Sequence, residues 1–297
     1  MRKKWSENEI KFLKNNYSNN GIEYCKSKLN RTKISIIHKA NRCNLFLSLK
    51  IKNENIKNIK KRNNYEKYDL SKIKSLNTKE VAYFLGYFWA DGVIYKKSSC
   101  VSQISLIEND SLYLYDNIIS NIGKNNWTKS KPIKKQYRNK NNELINAKNQ
   151  ILIRSYSREL YEFLYENDYF YKSNVSFEKI FTKIPNEYKS YFILGLFDGD
   201  GSFTISKFKT GYIIGQFIIT STYNYDWKSL ENYFKFNNIE YSIYKKIGII
   251  GKYSLFVVRK KESLFILYNL LYGKKYTIGL SRKYLKFKNY MELKYKK

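Results

Sequence analysis

Histidine is almost missing from this chain: His38 is the only one in 297 residues. That scarcity excludes a His–Cys zinc cluster, a His-based nuclease centre and a Ser–His–Asp triad. Cys25, Cys43 and Cys100 are too few and too scattered for a disulfide framework or a thiolate zinc site, which suits a reducing compartment. Proline occurs twice, and no apolar run reaches the ~18 residues of a membrane span. The basic start, Met1 to Trp5, is not followed by an apolar signal-peptide core. These absences predict a soluble chain with no membrane partner, in the cytoplasm of a bacterium or of a phage- or virus-infected host, or in an organelle. Hydrolytic chemistry, if present, has to rest on carboxylates, lysine and a hard metal.

Acidic residues are also few. Fifty-six Lys and Arg against 25 Asp and Glu leave a formal charge of +31, spread along the whole length. A coding bias toward Lys, Asn, Ile and Tyr could inflate lysine, yet an excess this large calls for a polyanionic partner, and nucleic acid is the expected one. Aromatic residues supply 18% of the chain, enough to build packed cores.

Residues 5 to 47 predict three short helices. Ser6 is a good N-cap, and Trp5, Ile10, Leu13 and Tyr17 lie at helical spacing around it. Gly21 turns the chain, and Ile22, Cys25 and Leu29 form a second apolar face. Asn30-Arg31-Thr32 caps a third helix through Asn44, with Ile34, Ile37 and Ala40 inward and Lys33, Lys39 and Arg42 toward solvent. Helix, short helix, tight turn and basic helix is the order of a helix-turn-helix reader of the DNA major groove. A plain three-helix bundle making protein contacts would show the same pattern. Residues 48 to 74 carry Lys57, Lys60, Lys61 and Arg62 without a sustained period, as a basic linker or a solvated helical connector would.

From Leu76 the chain repeats itself. An apolar helix ending at Asp91-Gly92 leads into strands near 93–97 and 101–107, a helix near 110–122, strands near 133–138 and 150–155, and a helix from Arg158. From Lys189 the same order returns through Asp200-Gly201, strands near 203–208 and 213–220, a helix from Trp227, strands near 241–246 and 255–260, and a helix from Glu262. The expected organisation is a helical domain over 1–48, a linker over 49–75, and two α+β halves over 76–183 and 184–297.

The repeated helix carries the chemistry. Phe192 to Thr204 reads FILGLFDGDGSFT, and Phe84 to Tyr95 is a looser copy. Gly86 with Ala90, and Gly195 with Gly199, are four apart and share one helix face. Small residues there let two helices cross below the usual ~8–10 Å separation. If each copy is the other's partner, the halves pack about a pseudo-two-fold axis and Asp91 meets Asp200. Gly92 and Gly201 are expected as C′ glycines releasing the chain into a strand. Two carboxylates facing each other and two negative helix ends repel, and their pKa values should rise. A divalent cation relieves that, and carboxylates, phosphate oxygens and waters suit Mg²⁺. A structural reading is also open: Asp-Gly as a helix stop with small residues that merely pack.

These segments resemble the LAGLIDADG motif of the homing endonucleases, the second closely and the first loosely, and residues 76 to 297 are similar to the double-motif, monomeric members. The resemblance implies two αββαββα halves forming a DNA-binding saddle with the motif helices at their interface. It implies a hydrolase that cuts double-stranded DNA with Mg²⁺ or Mn²⁺, both metals held by Asp91 and Asp200. The motif's earlier acidic position is Asp198 in one copy and Trp89 in the other. Tyr171-Lys172-Ser173 and Leu280-Ser281-Arg282-Lys283-Tyr284 resemble the family's lysine-bearing segments, which makes Lys172 and Lys283 candidates beside the scissile phosphates. Glu108, and Ser221 or Thr222, match the polar position after the second strand. The N-terminal stretch resembles Myb-like or related helix-turn-helix domains in Trp5-Ser6-x-x-Glu9-Ile10 and Lys39-Ala40-Asn41-Arg42.

The strands are the expected DNA readers, since a two-stranded ribbon fits the major groove. Ser102, Gln103, Ser105, Lys134, Gln136 and Arg138 are candidates in the first half, and Tyr244, Lys246 and Arg259 in the second. The expected activity is site-specific double-strand cleavage at a long, non-palindromic site. Two other readings keep the fold: an intron-splicing maturase binding its own intron RNA, and a non-catalytic transcription regulator.

Overall fold

The computed structural model describes residues 4–48, 50–51, 69–95, 100–123, 127–134, 136–138, 142–146, 148–248, 251–273 and 277–295. The chain divides into two compact units, 1–67 and 68–297.

In the first unit α1 (Glu7–Leu29) is opened by a capping box: the Ser6 hydroxyl accepts from the Glu9 amide at 3.3 Å, and the Ser6 amide donates to the Glu9 carboxylate at 2.8 Å. Gly21, at φ +77°, breaks the helix into two arms as a side-chain-bearing residue could not without strain. Asn30 ends it in the left-handed conformation, Thr32 caps α2 (Lys33–Arg42), and Leu13, Tyr17, Cys25, Ile36 and Ala40 are buried together. Three helical segments thus form as expected, with one shift of face. Ile36 is inward and Ile34 is exposed, because the Thr32 cap starts α2 at Lys33 and Ile36 and Ala40, four apart, define its stripe. Lys57, Lys60, Lys61 and Arg62 lie outside the described residues.

The second unit opens with α3 (Ser71–Ser75), whose Ile73 is buried in the main core. The first half then runs α4 (Lys79–Asp91), β1 (Gly92–Tyr95), β2 (Val101–Ile107) and a helix over 108–123. That helix consists of α5 (Glu108–Tyr113), a π-helical stretch (Leu114–Ile119) and α6 (Ser120–Gly123). After it come β3 (Thr128–Lys129), β4 (Gln136–Arg138), β5 (Leu144–Asn146), β6 (Gln150–Ser155), α7 (Arg158–Glu166) and α8 (Glu178–Phe181). The second half runs α9 (Lys189–Asp200), β7 (Gly201–Lys207), β8 (Ile213–Thr222), α10 (Lys228–Phe236), β9 (Ser242–Gly248), β10 (Gly251–Val258), α11 (Lys261–Tyr272) and α12 (Ser281–Tyr295).

The two halves are copies of one αββαββα plan. Their four-stranded sheets have the orders β1-β2-β6-β3 and β7-β8-β10-β9, antiparallel throughout, so each strand has its counterpart at the same place. One difference has a local cause. The strand expected over 133–138 is split from the first sheet: β4 pairs with β5 as a separate ribbon, joined to the sheet by a single bridge between Ile133 and Gln150. Pro132 lies at the break, and proline has no N–H to give the ladder. The terminal helix α12 was not anticipated, although Lys283, Phe287, Tyr290 and Met291 turn inward at helical spacing.

Alternation fixes which way each strand faces. In β2, Ser102, Ile104 and Leu106 are buried while Val101, Gln103, Ser105 and Ile107 are half-exposed. In β8, Gly215, Phe217 and Ile219 are buried while Gln216, Ile218, Thr220 and Thr222 face out. A single hydrophobic core runs through both halves, with Phe197 stacked on Phe217 at 4.3 Å and Phe203 on Phe287 at 4.1 Å between ring centroids.

Candidate active site

The helices α4 and α9 cross without side chains between them. A Cβ on Gly86 would stand 1.9 Å from the Phe192 carbonyl oxygen, and one on Gly195 would stand 2.1 Å from the Tyr83 carbonyl oxygen. A Cβ on Gly199 would stand 2.2 Å from the Ala90 Cβ and 3.4 Å from Asp91 Oδ2. At Gly86 and Gly195 backbone meets backbone, and at Gly199 the neighbour is a Cβ, so no rotamer change relieves these clashes.

Both helices end at their aspartate. Gly92 and Gly201 follow, but with φ of −76° and −94°, in extended conformation. The chain passes from each helix straight into a strand at these glycines, β1 and β7 starting at Gly92 and Gly201. Glycine is required because a Cβ would fall 2.3 Å from the Phe88 ring or 2.2 Å from the Phe197 ring.

Asp91 is half-buried, and desolvation pushes its carboxyl above the ordinary range. Asp200 keeps an exposed edge, yet protein crowds its carboxylate, and desolvation followed by the Asp91 charge raises it to about 6. The charge of Asp91 is thus felt at Asp200, as two carboxylates at crossing helix ends require.

Each lysine caps the helix of its own half. Lys172 Nζ donates to the carbonyls of Trp89 at 2.7 Å and Ala90 at 2.5 Å. Lys283 Nζ donates to the carbonyls of Phe197, Asp198 and Gly201 at 2.7, 2.7 and 2.6 Å. These carbonyls lie at or just past the ends of α4 and α9, that of Phe197 also accepting from the Gly201 amide, and the positive charge opposes the negative dipole end. Desolvation lowers both amines to about 8, against the pull of the nearby aspartates. The ammonium of Lys283 thus spends all three protons on main chain, while that of Lys172 spends two.

Positions 89 and 198 face the interior. Asp198 Oδ2 accepts from the Tyr83 hydroxyl at 2.8 Å and the Leu280 amide at 2.7 Å, and burial raises its carboxyl to about 6. Its Oδ1 is buried without a partner among the described residues. Trp89 instead donates its indole N–H to the Tyr225 hydroxyl at 3.0 Å and packs edge-on against Tyr169. Beside Asp200 and Lys172 lies a cavity of about 210 Å³, walled by Trp89, Tyr225 and Trp227 and edged by Ser221 and Thr222. Glu108 lies elsewhere, accepting from Asn149 at 3.1 Å.

The fit for a divalent ion can be judged from the donors. Asp91 and Asp200 offer hard oxygens whose affinity for positive charge burial has raised. Among the described residues no cluster of three or more His, Cys, Asp or Glu exists. The chain therefore supplies a minority of any coordination shell, which fits an ion that keeps waters and takes phosphate oxygens.

The strand candidates separate by face. Gln103 and Ser105 share the open face of the first sheet, Gln103 accepting from Arg154 Nε at 2.6 Å and Ser105 donating to Gln150 at 3.3 Å. Ser102 points the other way and is fully buried, since neighbours on a strand cannot share a face. Arg154 and Gln150 stand in the cross-strand rows of Gln103 and Ile107, and alternation within β6 could have found them. Gln136 is exposed on the β4–β5 ribbon and Lys134 is exposed just before it; the side chain of Arg138 lies outside the described residues. In the second half Lys246 is exposed, and Arg259 lies over the Tyr244 ring at 5.2 Å and donates to its hydroxyl. On α2, Arg42 is exposed, Lys39 is half-buried, and Lys33 pairs with Glu23 at 3.2 Å.

No protein-family model and no curated protein matches the sequence. Solved structures of similar fold include the LAGLIDADG meganuclease I-AabMI bound to uncleaved DNA, at 15% identity over 71% of this chain and 90% of that one, with a TM-score of 0.46. I-SmaMI bound to uncleaveable DNA gives 16%, 71%, 92% and 0.40, and variants of the homing endonuclease I-DmoI give 15%, 68%, 92% and 0.38. The likeness is one of fold. Among the described residues no helix is long and apolar enough to cross a membrane.

Proposed function

We propose that the chain is a site-specific double-strand DNA endonuclease dependent on a divalent metal, Mg²⁺ or Mn²⁺, as its LAGLIDADG-like motifs imply. The observation that carries the reading is the approach of Asp91 to Asp200 at the ends of two helices that cross at Gly86, Gly195 and Gly199. A bound ion would supply activation of water and stabilisation of the leaving oxygen. Asp91 and Asp200 would hold it. Lys172 and Lys283 would keep the helix ends in place and add positive charge beside the phosphates, and Lys172 has one proton left for a water or phosphate oxygen.

Gln103, Ser105, Gln136, Tyr244, Lys246 and Arg259, with Arg154 and Gln150 added, would lie against double-stranded DNA. The helices of the N-terminal unit would act as a Myb-like helix-turn-helix module through Lys33, Lys39 and Arg42. Because the two halves differ in sequence, the site should be long and non-palindromic, and because both lie in one chain the active form should be a monomer. Intron RNA as a further partner follows from the maturase alternative and is tested by the same preparation in an RNA-binding assay.

The test is to incubate the protein and Mg²⁺ with DNA from its own source and to sequence the broken ends. Discrete double-strand breaks are expected, abolished in Asp200→Asn while DNA binding persists. Undiminished cutting by that variant would overturn the metal assignment.

A further inference from the structure

The segment 278–283, which brings Lys283 to the end of α9, belongs to the second half by sequence but is fastened to the first. The Gly279 amide donates to the Tyr113 hydroxyl at 2.7 Å. Arg282 makes a two-pronged ion pair with Asp110, at 2.6 Å from Nη2 to Oδ2 and 3.3 Å from Nε to Oδ1. Asp110 is almost fully buried, whereas Arg282 is half-exposed. Tyr83, from the first motif helix, and the Leu280 amide meet on the same oxygen of Asp198. Gly279 sits at φ +119°, so the turn that delivers Leu280 has a conformation of its own to be held.

The other side of the pseudo-axis is built differently. Thr222 donates to the Ser173 carbonyl, next to Lys172, and Tyr225 takes the indole proton of Trp89. The position in the second half that corresponds to Asp110, three residues beyond the second strand, is Tyr225. One lysine is therefore approached through an ionic clasp and the other through neutral contacts.

We propose that Asp110, with Tyr113, forms a latch on the 278–283 segment and is a positioning residue for Lys283, acting across the interface between the halves. An ion pair with one buried member is suited to this: the Asp110 carboxylate has no water to fall back on, so the segment is held wherever Arg282 can reach it. The ammonium of Lys283, all of whose protons go to main-chain carbonyls of Phe197, Asp198 and Gly201, stays there only while that segment is docked. This inference rests on the nuclease reading for its catalytic consequence but not for its geometry.

The experiment separates the two. The intact protein is exposed to an amine-acylating reagent near pH 8, and modification of Lys172 and Lys283 is followed by mass spectrometry. In the unsubstituted chain both should react slowly. Asp110→Asn and Arg282→Gln should each accelerate Lys283 by tenfold or more and leave Lys172 unchanged, and the double variant should be no faster than either single one. The exchanged pair Asp110→Arg with Arg282→Asp should restore slow modification. Tyr113→Phe, which keeps the ring, serves if Asp110 variants fail to fold, with a smaller acceleration expected at Lys283 alone. Unchanged Lys283 reactivity, or equal acceleration of both lysines, overturns the latch. Strand-resolved cleavage of end-labelled DNA is the second arm: the latch variants should slow one strand more than the other at unchanged DNA affinity. Absence of cleavage by the unsubstituted chain would count against the nuclease and leave the labelling result standing.

Discussion

At the scale of single residues, the site holds groups in protonation states that cost stability. Asp91 and Asp200 have folded-state pKa values above their unfolded ones, so their contribution is fully present below the unfolded pKa and is lost as pH rises through the folded values, for Asp200 near 6. Metal-free protein should therefore gain thermal stability when Asp200 becomes Asn, by on the order of 1 kcal/mol after allowance for the exposed edge of the carboxylate. Mg²⁺ should raise the melting temperature of the parent at pH 7 more than at pH 5, and raise that of the variant little. Calorimetry with and without the ion checks both. Glu9 has the opposite sign. Arg31, at 2.9 and 2.8 Å, then the Ser6 amide, hold its carboxyl down from 4.5 to about 2. Its stabilisation is present above pH 4.5 and lost as pH falls toward 2. The helical signal of the first unit should fall over that window, and Glu9→Gln should remove that part of the pH dependence, measured by circular dichroism of the full chain at rising acidity.

At the scale of elements, the α4–α9 crossing is the least forgiving part of the chain. Gly195→Ala would drive a methyl into the Tyr83 carbonyl and the Tyr87 amide, both main chain, so the helices must separate and the core around them must loosen. A loss of roughly 3–5 kcal/mol is expected, a fall of about 10 °C in a unit of this size. Thr204→Ala on the open face of β7 should shift the transition by less than about 0.5 kcal/mol. Equal melting of the two variants would mean that the glycines are not what sets the interhelical distance. Residue spacing made this crossing readable: four-apart small residues in two copies have few structural uses. It could not reveal what the neighbouring positions do. Trp89 and Asp198 occupy equivalent places, yet one is paired with Tyr225 of the opposite half and the other with Tyr83 of the opposite half and Leu280 of its own, because each answers to whatever packs against it.

At the scale of the whole molecule, the charge of +31 is carried by two separately packed units. If both engage DNA, deletion of residues 1 to 48 should weaken binding and flatten the dependence of log K on log salt, since fewer phosphates are neutralised. The position of the cut should not move, because Asp91 and Asp200 both lie in the second unit. Binding titrations at several salt concentrations, followed by sequencing of the product ends, measure the two effects independently. A displaced cut would assign part of the positioning of the chemistry to the first unit.

The sequence by itself determined the N-cap at Ser6, the turn at Gly21, the duplicated α+β order, and the two Gly-x-x-x-small faces with their terminal aspartates. All of these are local or periodic, and period and cap chemistry act over a few residues. Only the tertiary structure decided that Gly92 and Gly201 answer to phenylalanine rings, that Lys172 and Lys283 are spent on main-chain carbonyls, that Ser102 is buried, and that Asp110 reaches Arg282. The lysine contacts span more than eighty residues and the Asp110–Arg282 pair 172, Ser102 answers to a strand's parity within a paired sheet, and the glycines answer to how a ring one turn back is packed. Such distances are set by packing, which no spacing along one chain encodes.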